Sequence, residues 1–172
     1  MLPIRRATVA DAAALTELRA MMHDDINGPH PREWMKACEE VTADRLGNDP
    51  DFYAYVAEDG DNGVVACVTG EIRPRFPNPE SAARIFGFGI ALCTRPEYRR
   101  QGLGGTLLHT LAERFIKEGC ERVSIFASKQ GAPLYRLIGY EDLSDVALAM
   151  NRFVDHPLPV NRYTSTPVPP EL

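Results

Sequence analysis

The sequence has few of the features that mark secreted, metal-binding or membrane-spanning proteins. Its four cysteines stand far apart, at positions 38, 67, 93 and 120, and form no C-x-x-C pair. This spacing suits a reducing compartment and gives no metal-site pattern. No apolar run approaches the length of a membrane span, and the N-terminal residues lack the apolar segment of a signal peptide. We therefore expect a cytoplasmic protein that binds no metal and no membrane.

Positive charge is also scarce, because 24 acidic residues face 19 Lys and Arg residues and leave a net charge of −5. This balance argues against nucleic-acid binding, which needs a basic surface. However, six arginines lie within residues 73–100 beside two acids, whereas residues 39–61 carry eight acids and one arginine. The basic stretch favours a polyanionic ligand, with scattered surface arginines as the alternative. The acidic stretch slightly favours a cationic ligand.

Several cofactor and catalytic motifs are missing. The glycines of Arg99-Arg100-Gln101-Gly102-Leu103-Gly104-Gly105 are not followed by the Lys and Ser or Thr of a P-loop. Leu107 replaces the third glycine of a dinucleotide fingerprint, and the chain has no G-x-S-x-G or H-E-x-x-H motif. What remains is a glycine turn between a predicted strand and a predicted helix. Backbone N–H groups and a positive helix end at such a turn bind anions, so a pyrophosphate without an obligatory metal fits best.

Apolar periodicity predicts a single domain over residues 1–154 and a proline-rich tail over residues 155–172. Glycines 87 and 89 lie inside a predicted strand and indicate a bulge or a close approach by another group. A polar cluster from His23 to Trp34 is either an interhelix loop or one wall of a substrate pocket. The predicted helices cover residues about 10–25, 32–47, 103–117 and 132–138. The predicted strands cover residues 52–58, 64–72, 85–94, 122–127 and 146–154, and two further strands begin at residues 4 and 140.

Two motifs carry a family resemblance. Arg99-x-x-Gly102-x-Gly104 resembles the acyl-CoA signature of the GNAT superfamily of N-acetyltransferases, and the segment from Leu134 to Tyr140 resembles its late "LYxxLGF" element. The resemblance implies an α/β (α+β) fold, with a mixed, largely antiparallel sheet of six to seven strands and about four helices. It also implies acetyl-CoA as co-substrate and the direct transfer of acetyl to an amine of a small molecule or peptide.

The resemblance further implies which residues form the site. Tyr135 would be the general acid, because a phenol stays protonated at neutral pH and can donate to a departing thiolate. The strand before the turn lacks the glutamate that many members use as base, so Glu71, a residue of the 23–34 cluster, a water chain or an already neutral amine would replace it. Ser128 stands where members often carry asparagine. The implied cofactor-binding residues are Leu92, Cys93, Thr94, Arg99, Arg100, Gln101, Gly102, Leu103, Gly104, Gly105, Thr106 and Ser128.

Two other functions compete with this interpretation. The missing glutamate supports a non-catalytic acyl-CoA-binding sensor or interaction module. A nucleotide-binding protein would use the same turn, but the absent lysine and magnesium ligands disfavour it. The proline-rich tail and exposed sheet edges favour a homodimer.

Overall fold

The computed structural model describes residues 2–79 and 81–143. The chain divides into two units, Met1–Tyr140 and Glu141–Leu172, and the candidate site lies within the first. The division predicted at residue 154, and the strand predicted over 146–154, fall on residues outside the described part. No helix within the described ranges is long and apolar enough to cross a membrane.

The described part of the chain contains one five-stranded sheet whose strands lie in chain order. Neighbouring strands are antiparallel except for the last pair, which is parallel. Five of the six to seven expected strands therefore lie in the described part of the chain, where Tyr140 and the three residues after it form no strand. The strands are β1 (Ile4–Arg6), β2 (Phe52–Asp59), β3 (Gly63–Pro74), β4 (Ile85–Thr94) and β5 (Val123–Ile125).

Helices cover both faces of the sheet, as the near-continuous apolar runs of β2 and β3 require. On one face, Leu15 and Leu18 of the first helix pack with Phe52 and Cys67. On the other face, the third helix contributes the largest apolar cluster, which includes Phe115 at 0% exposure. The predicted helices are all present: α1 (Ala12–Asn27), α2 (Trp34–Asn48), α3 (Leu103–Lys117) and α4 (Ala132–Leu137).

An ion pair joins β1 to the short turn before α1. The Arg5 guanidinium donates two hydrogen bonds of 2.8 Å to the carboxylate of Asp11, whose side chain is 8% exposed. These hydrogen bonds lower the pKa of Asp11 to about 2 from its ordinary value of 3.8. The pair therefore stabilises the fold only while Asp11 is ionised.

Glycines in the strands allow α3 to approach the sheet closely. A Cβ atom at Gly87 would lie 2.3 Å from Cδ2 of Phe115, and one at Gly70 would lie 2.9 Å from Cζ of the same ring. A Cβ at Gly89 would lie 2.4 Å from Cγ2 of Ile125. Glycines 87 and 89 indicated either a bulge or a close approach by another backbone or a ligand, and the groups that approach them are side chains of α3 and β5.

A β-bulge interrupts β4 beside these glycines. Gly89 pairs with Gly70 and Ala91 pairs with Thr69, so Ile90 is an extra residue in the ladder. Ile90 and Ala91 both pack against the α1 side of the sheet, although they are consecutive. After the bulge, Leu92 faces the α3 side and Cys93 faces the α1 side.

Candidate active site

A cavity of about 780 Å³ lies where β4 ends and α3 begins. Its walls come from β4, the glycine turn, the C-terminal part of α1 and the start of α4. Among the predicted cofactor-binding residues, Gln101 and Thr106 belong to the same turn and helix but do not line it. Those that do line it are Leu92, Cys93, Thr94, Arg99, Arg100, Gly102, Leu103, Gly104, Gly105 and Ser128.

The glycine turn brings the first amides of α3 to the wall of this cavity. Arg100 and Gly102 both have positive φ, at 62° and 84°, and Gly102 is the N-cap of α3. The amide of Thr106 bonds to the carbonyl of Gly102 at 3.1 Å, whereas the three amides of residues 103–105 precede the first intrahelical bond. These amides and the positive end of α3 form an anion site.

The C-terminal part of β4, which precedes this turn in the chain, has a free edge. β5 pairs with β4 only from Gly87 to Gly89, while β4 pairs with β3 as far as Thr94. Within the described residues, the backbone of 91–94 therefore has no strand on the β5 side. An extended ligand with amide groups can bind such an edge as an added strand.

Arg99 is held in place by two contacts across the cavity. Its Nε donates to the carbonyl of Thr94 at 2.9 Å, and its Nη2 donates to the carboxylate of Asp25 at the end of α1. The ion pair with Asp25 joins the turn to α1, and its guanidinium and carboxylate are both about 40% exposed. An anionic ligand at the turn would compete with this carboxylate for Arg99.

Tyr135 does not line this cavity, whereas its neighbours Pro133 and Leu134 do. Burial raises the pKa of Tyr135 to about 12, and Tyr140 and Cys93 add smaller contributions. Its ring packs edge-on against Tyr140, with centroids 5.7 Å apart. A hydroxyl with this pKa stays protonated throughout the physiological range.

Glu71 lies outside both this cavity and the second one described below. Its carboxylate accepts a hydrogen bond of 2.6 Å from Nη2 of Arg45 and another from Nε of Arg73. Partial burial alone would raise the pKa of Glu71, but the two guanidinium groups outweigh it and lower the pKa. These contacts make Glu71 a poor general base and give it an ion-pairing role between α2 and β3.

Among the polar residues between His23 and Trp34 that the sequence singled out, Asp25 lines this cavity. Asp24 instead accepts hydrogen bonds from the side chain of Arg32 and the amide of His30, and the rings of His23 and Trp34 pack edge to face. Most of these polar residues therefore contact one another within the interhelix loop. Sequence reasoning missed three apolar residues of α1 that line the cavity, because they resemble ordinary core positions: Met21, Met22 and Ile26.

A second cavity of about 390 Å³ lies between α1, α2 and the β3–β4 pair. Cys93 lines both cavities, and the bulge residues Ile90 and Ala91 line the second. The polar or charged groups on its walls are Arg19, Thr42, Arg45 and Thr69. The two cavities thus meet at the strand that the glycine turn follows.

One cavity thus combines a free strand edge, a glycine turn and a helix N-terminus. This combination is typical of a protein that binds a phosphate-bearing ligand in extended form. The model of the Acetyltransferase (GNAT) family matches residues 19–140. The chain belongs to this family.

Individual relatives are distant. Thialysine N-epsilon-acetyltransferase of Sus scrofa is 25% identical over 105 residues, which cover 50% of this chain and 61% of that enzyme. The chain thus spans less than two thirds of that relative. A predicted acetyltransferase of Clostridium acetobutylicum, solved with acetyl-CoA, has a TM-score of 0.77 at 22% identity and covers 88% of this chain and 96% of its own. A GCN5-related N-acetyltransferase of Ralstonia eutropha has a TM-score of 0.73 at 19% identity, and the match covers 87% of this chain and 99% of that structure.

Proposed function

We propose that this protein transfers the acetyl group of acetyl-CoA directly to a primary amine of a small molecule or peptide. The observation that carries the proposal is the cavity of about 780 Å³ that joins the anion-binding turn to the free edge of β4. The amides of residues 103–105, with Arg99 and Arg100, suit the pyrophosphate of CoA. The backbone of residues 92–94 suits the amides of its pantetheine arm.

The chain's own residues then have defined roles in acyl transfer. The amine nitrogen forms a bond to the thioester carbonyl carbon, the carbon–sulfur bond breaks, and the amine proton leaves to solvent. Tyr135, protonated at neutral pH, donates a hydrogen bond to the departing sulfur. A backbone N–H beside the β4 bulge stabilises the carbonyl oxygen as it becomes negative. We assign no base role to Glu71, because two arginines hold its carboxylate.

Ligand-dependent stability tests the cofactor. A ligand present at 100 times its Kd adds about 2.7 kcal/mol to the free energy of unfolding, so acetyl-CoA should raise the melting temperature while ATP and NAD should not. Arg99→Ala should weaken this effect. Arg75→Ala, in the same basic stretch but outside the cavity lining, serves as the matched control. No stabilisation by acetyl-CoA would refute the proposal.

Release of free thiol in the presence of an amine distinguishes the enzyme from a non-catalytic sensor. The curated relative is named for acetylation of thialysine, a small amine, so small amines are the first acceptors to test. Acetyl-CoA binding without thiol release across a broad amine panel would favour the sensor.

Location and assembly are further proposals. Four free cysteines suit the cytoplasm, and fractionation of cells tests this.

Exposed apolar side chains at Phe126 and Leu137, 77% and 84% exposed, support a homodimer. Light scattering of the purified protein measures its mass.

A further inference from the structure

The second cavity has the position of an acceptor site, if the proposed function holds. It reaches the same stretch of β4 as the first cavity, and Cys93 lines both. Its walls are mostly apolar, with Leu15, Val41 and Ile90 among them. An amine with a hydrocarbon stem would fit these walls and meet the thioester at the strand.

The charge in this cavity is positive. None of the eight acids of the 39–61 stretch lines it, although Thr42 and Arg45 from that stretch do. The acidic stretch therefore gives no support to a cationic acceptor at this site. Arg45 is already neutralised by Asp49 and Glu71, with nitrogen–oxygen distances of 2.8 and 2.6 Å.

Arg19 differs from Arg45. Within residues 2–79 and 81–143, no carboxylate lies within ion-pair distance of its guanidinium. Its side chain is half-buried and lines this cavity. A guanidinium that no carboxylate of the described residues pairs with can bind an anionic group of a ligand.

We propose that Arg19 binds a carboxylate of the acceptor, so that the acceptor is an amino acid or a similar small amine with an anionic group remote from the reacting nitrogen. A guanidinium binds a carboxylate through two parallel hydrogen bonds, which fixes the orientation of the ligand as well as its affinity. The apolar walls hold the stem, and the amine points along the cavity to the strand shared with the cofactor.

Matched acceptors that differ only in the carboxylate test this inference. 6-Aminohexanoate is compared with hexylamine, and lysine with cadaverine, by kcat/KM in the thiol-release assay. Calorimetric binding of each amine in the presence of CoA gives a second measurement that does not depend on turnover. A charge-assisted contact predicts a preference of about tenfold or more for the carboxylate-bearing partner.

Variants of Arg19 complete the test. Arg19→Met should abolish the preference and leave the stabilisation by acetyl-CoA intact, and Arg19→Lys should restore part of the preference. Arg75→Met is the control. Equal use of both partners by the wild type, or a preference that survives in Arg19→Met, overturns the inference. If acetyl-CoA itself does not stabilise the protein, the proposed function fails, and this inference fails with it.

Discussion

Replacing Tyr135 with phenylalanine removes one hydroxyl and keeps the ring. No described hydrogen bond involves this hydroxyl, and the ring keeps its packing against Tyr140. The free energy of unfolding should therefore change by less than about 0.5 kcal/mol. Any loss of turnover would then report on chemistry rather than on folding.

The size of that loss follows from the pKa of Tyr135, which burial raises to about 12. Complete proton transfer to a thiolate of reference pKa about 8.5 would be uphill by about 3.5 pKa units, or roughly 5 kcal/mol. Tyr135 therefore acts as a hydrogen-bond donor to the developing thiolate. Such a charge-assisted bond contributes about 1.5–3 kcal/mol, so kcat should fall about 10- to 150-fold in Tyr135→Phe.

The assay is thiol release at saturating acetyl-CoA and amine, with the Kd of acetyl-CoA measured separately by calorimetry. The Kd should stay within about twofold, because Tyr135 acts after the cofactor has bound. Tyr140→Phe is the matched control, since burial raises the pKa of Tyr140 as well but the proposed reaction gives its hydroxyl no role. Tyr135 contributes no change in kcat between pH 7 and 10, because its proton is lost only near pH 12.

Two results would refute this reasoning. Turnover of Tyr135→Phe equal to that of the wild type would remove the hydroxyl from the reaction. An equal loss in Tyr140→Phe would show that the effect is not specific to the Tyr135 hydroxyl.

Three further predictions concern ion pairs and packing. Asp25→Asn should tighten acetyl-CoA binding several-fold in low salt, because it frees Arg99; unchanged or weaker binding in calorimetry contradicts this. Gly87→Ala should lower the free energy of unfolding by about 1–3 kcal/mol in urea titrations, because the new Cβ would overlap Phe115; an unchanged midpoint would show that the ring has room to move. The hydrogen bonds from Arg5 hold the pKa of Asp11 at about 2 in the folded protein. The contribution of Asp11 to the free energy of unfolding is therefore nearly complete above pH 4, and about 1–2 kcal/mol of it is lost between pH 4 and 2. Asp11→Asn should remove that part of the acid dependence, and an unaltered acid profile would contradict the assignment.

Local patterns in the sequence predicted much of the fold. The apolar period beginning at Leu103 and the glycines before it predicted α3 and its anion-binding turn, because helix faces and positive-φ positions are encoded within a few residues. The strands predicted over 52–58 and 64–72 are also present, as β2 and β3. The four helices lie within about two residues of their predicted bounds.

What the sequence did not reveal depends on contacts between distant segments. Glu71 looked like a free carboxylate until the fold brought Arg45 from α2 beside it. Arg19 looked like an ordinary charge on an amphipathic helix, and its missing counter-ion is visible only once the cavity is formed. Glycines 87 and 89 indicated a bulge as one alternative, but its position at Ile90 requires knowledge of which residues of β3 and β4 face each other. None of these leaves a periodic signal in one chain.

The bulge also limits how the length of β4 can change. Gly89 and Ala91 already pair with the consecutive residues Gly70 and Thr69, so deleting Ile90 would restore an uninterrupted ladder and leave Leu92 and Cys93 on their present faces. Deleting Leu92 instead would turn Cys93 toward the α3 side, because side chains alternate across a strand, and the wall common to both cavities would be rebuilt. The loss of one residue can therefore be absorbed at the bulge but not in the residues that follow it.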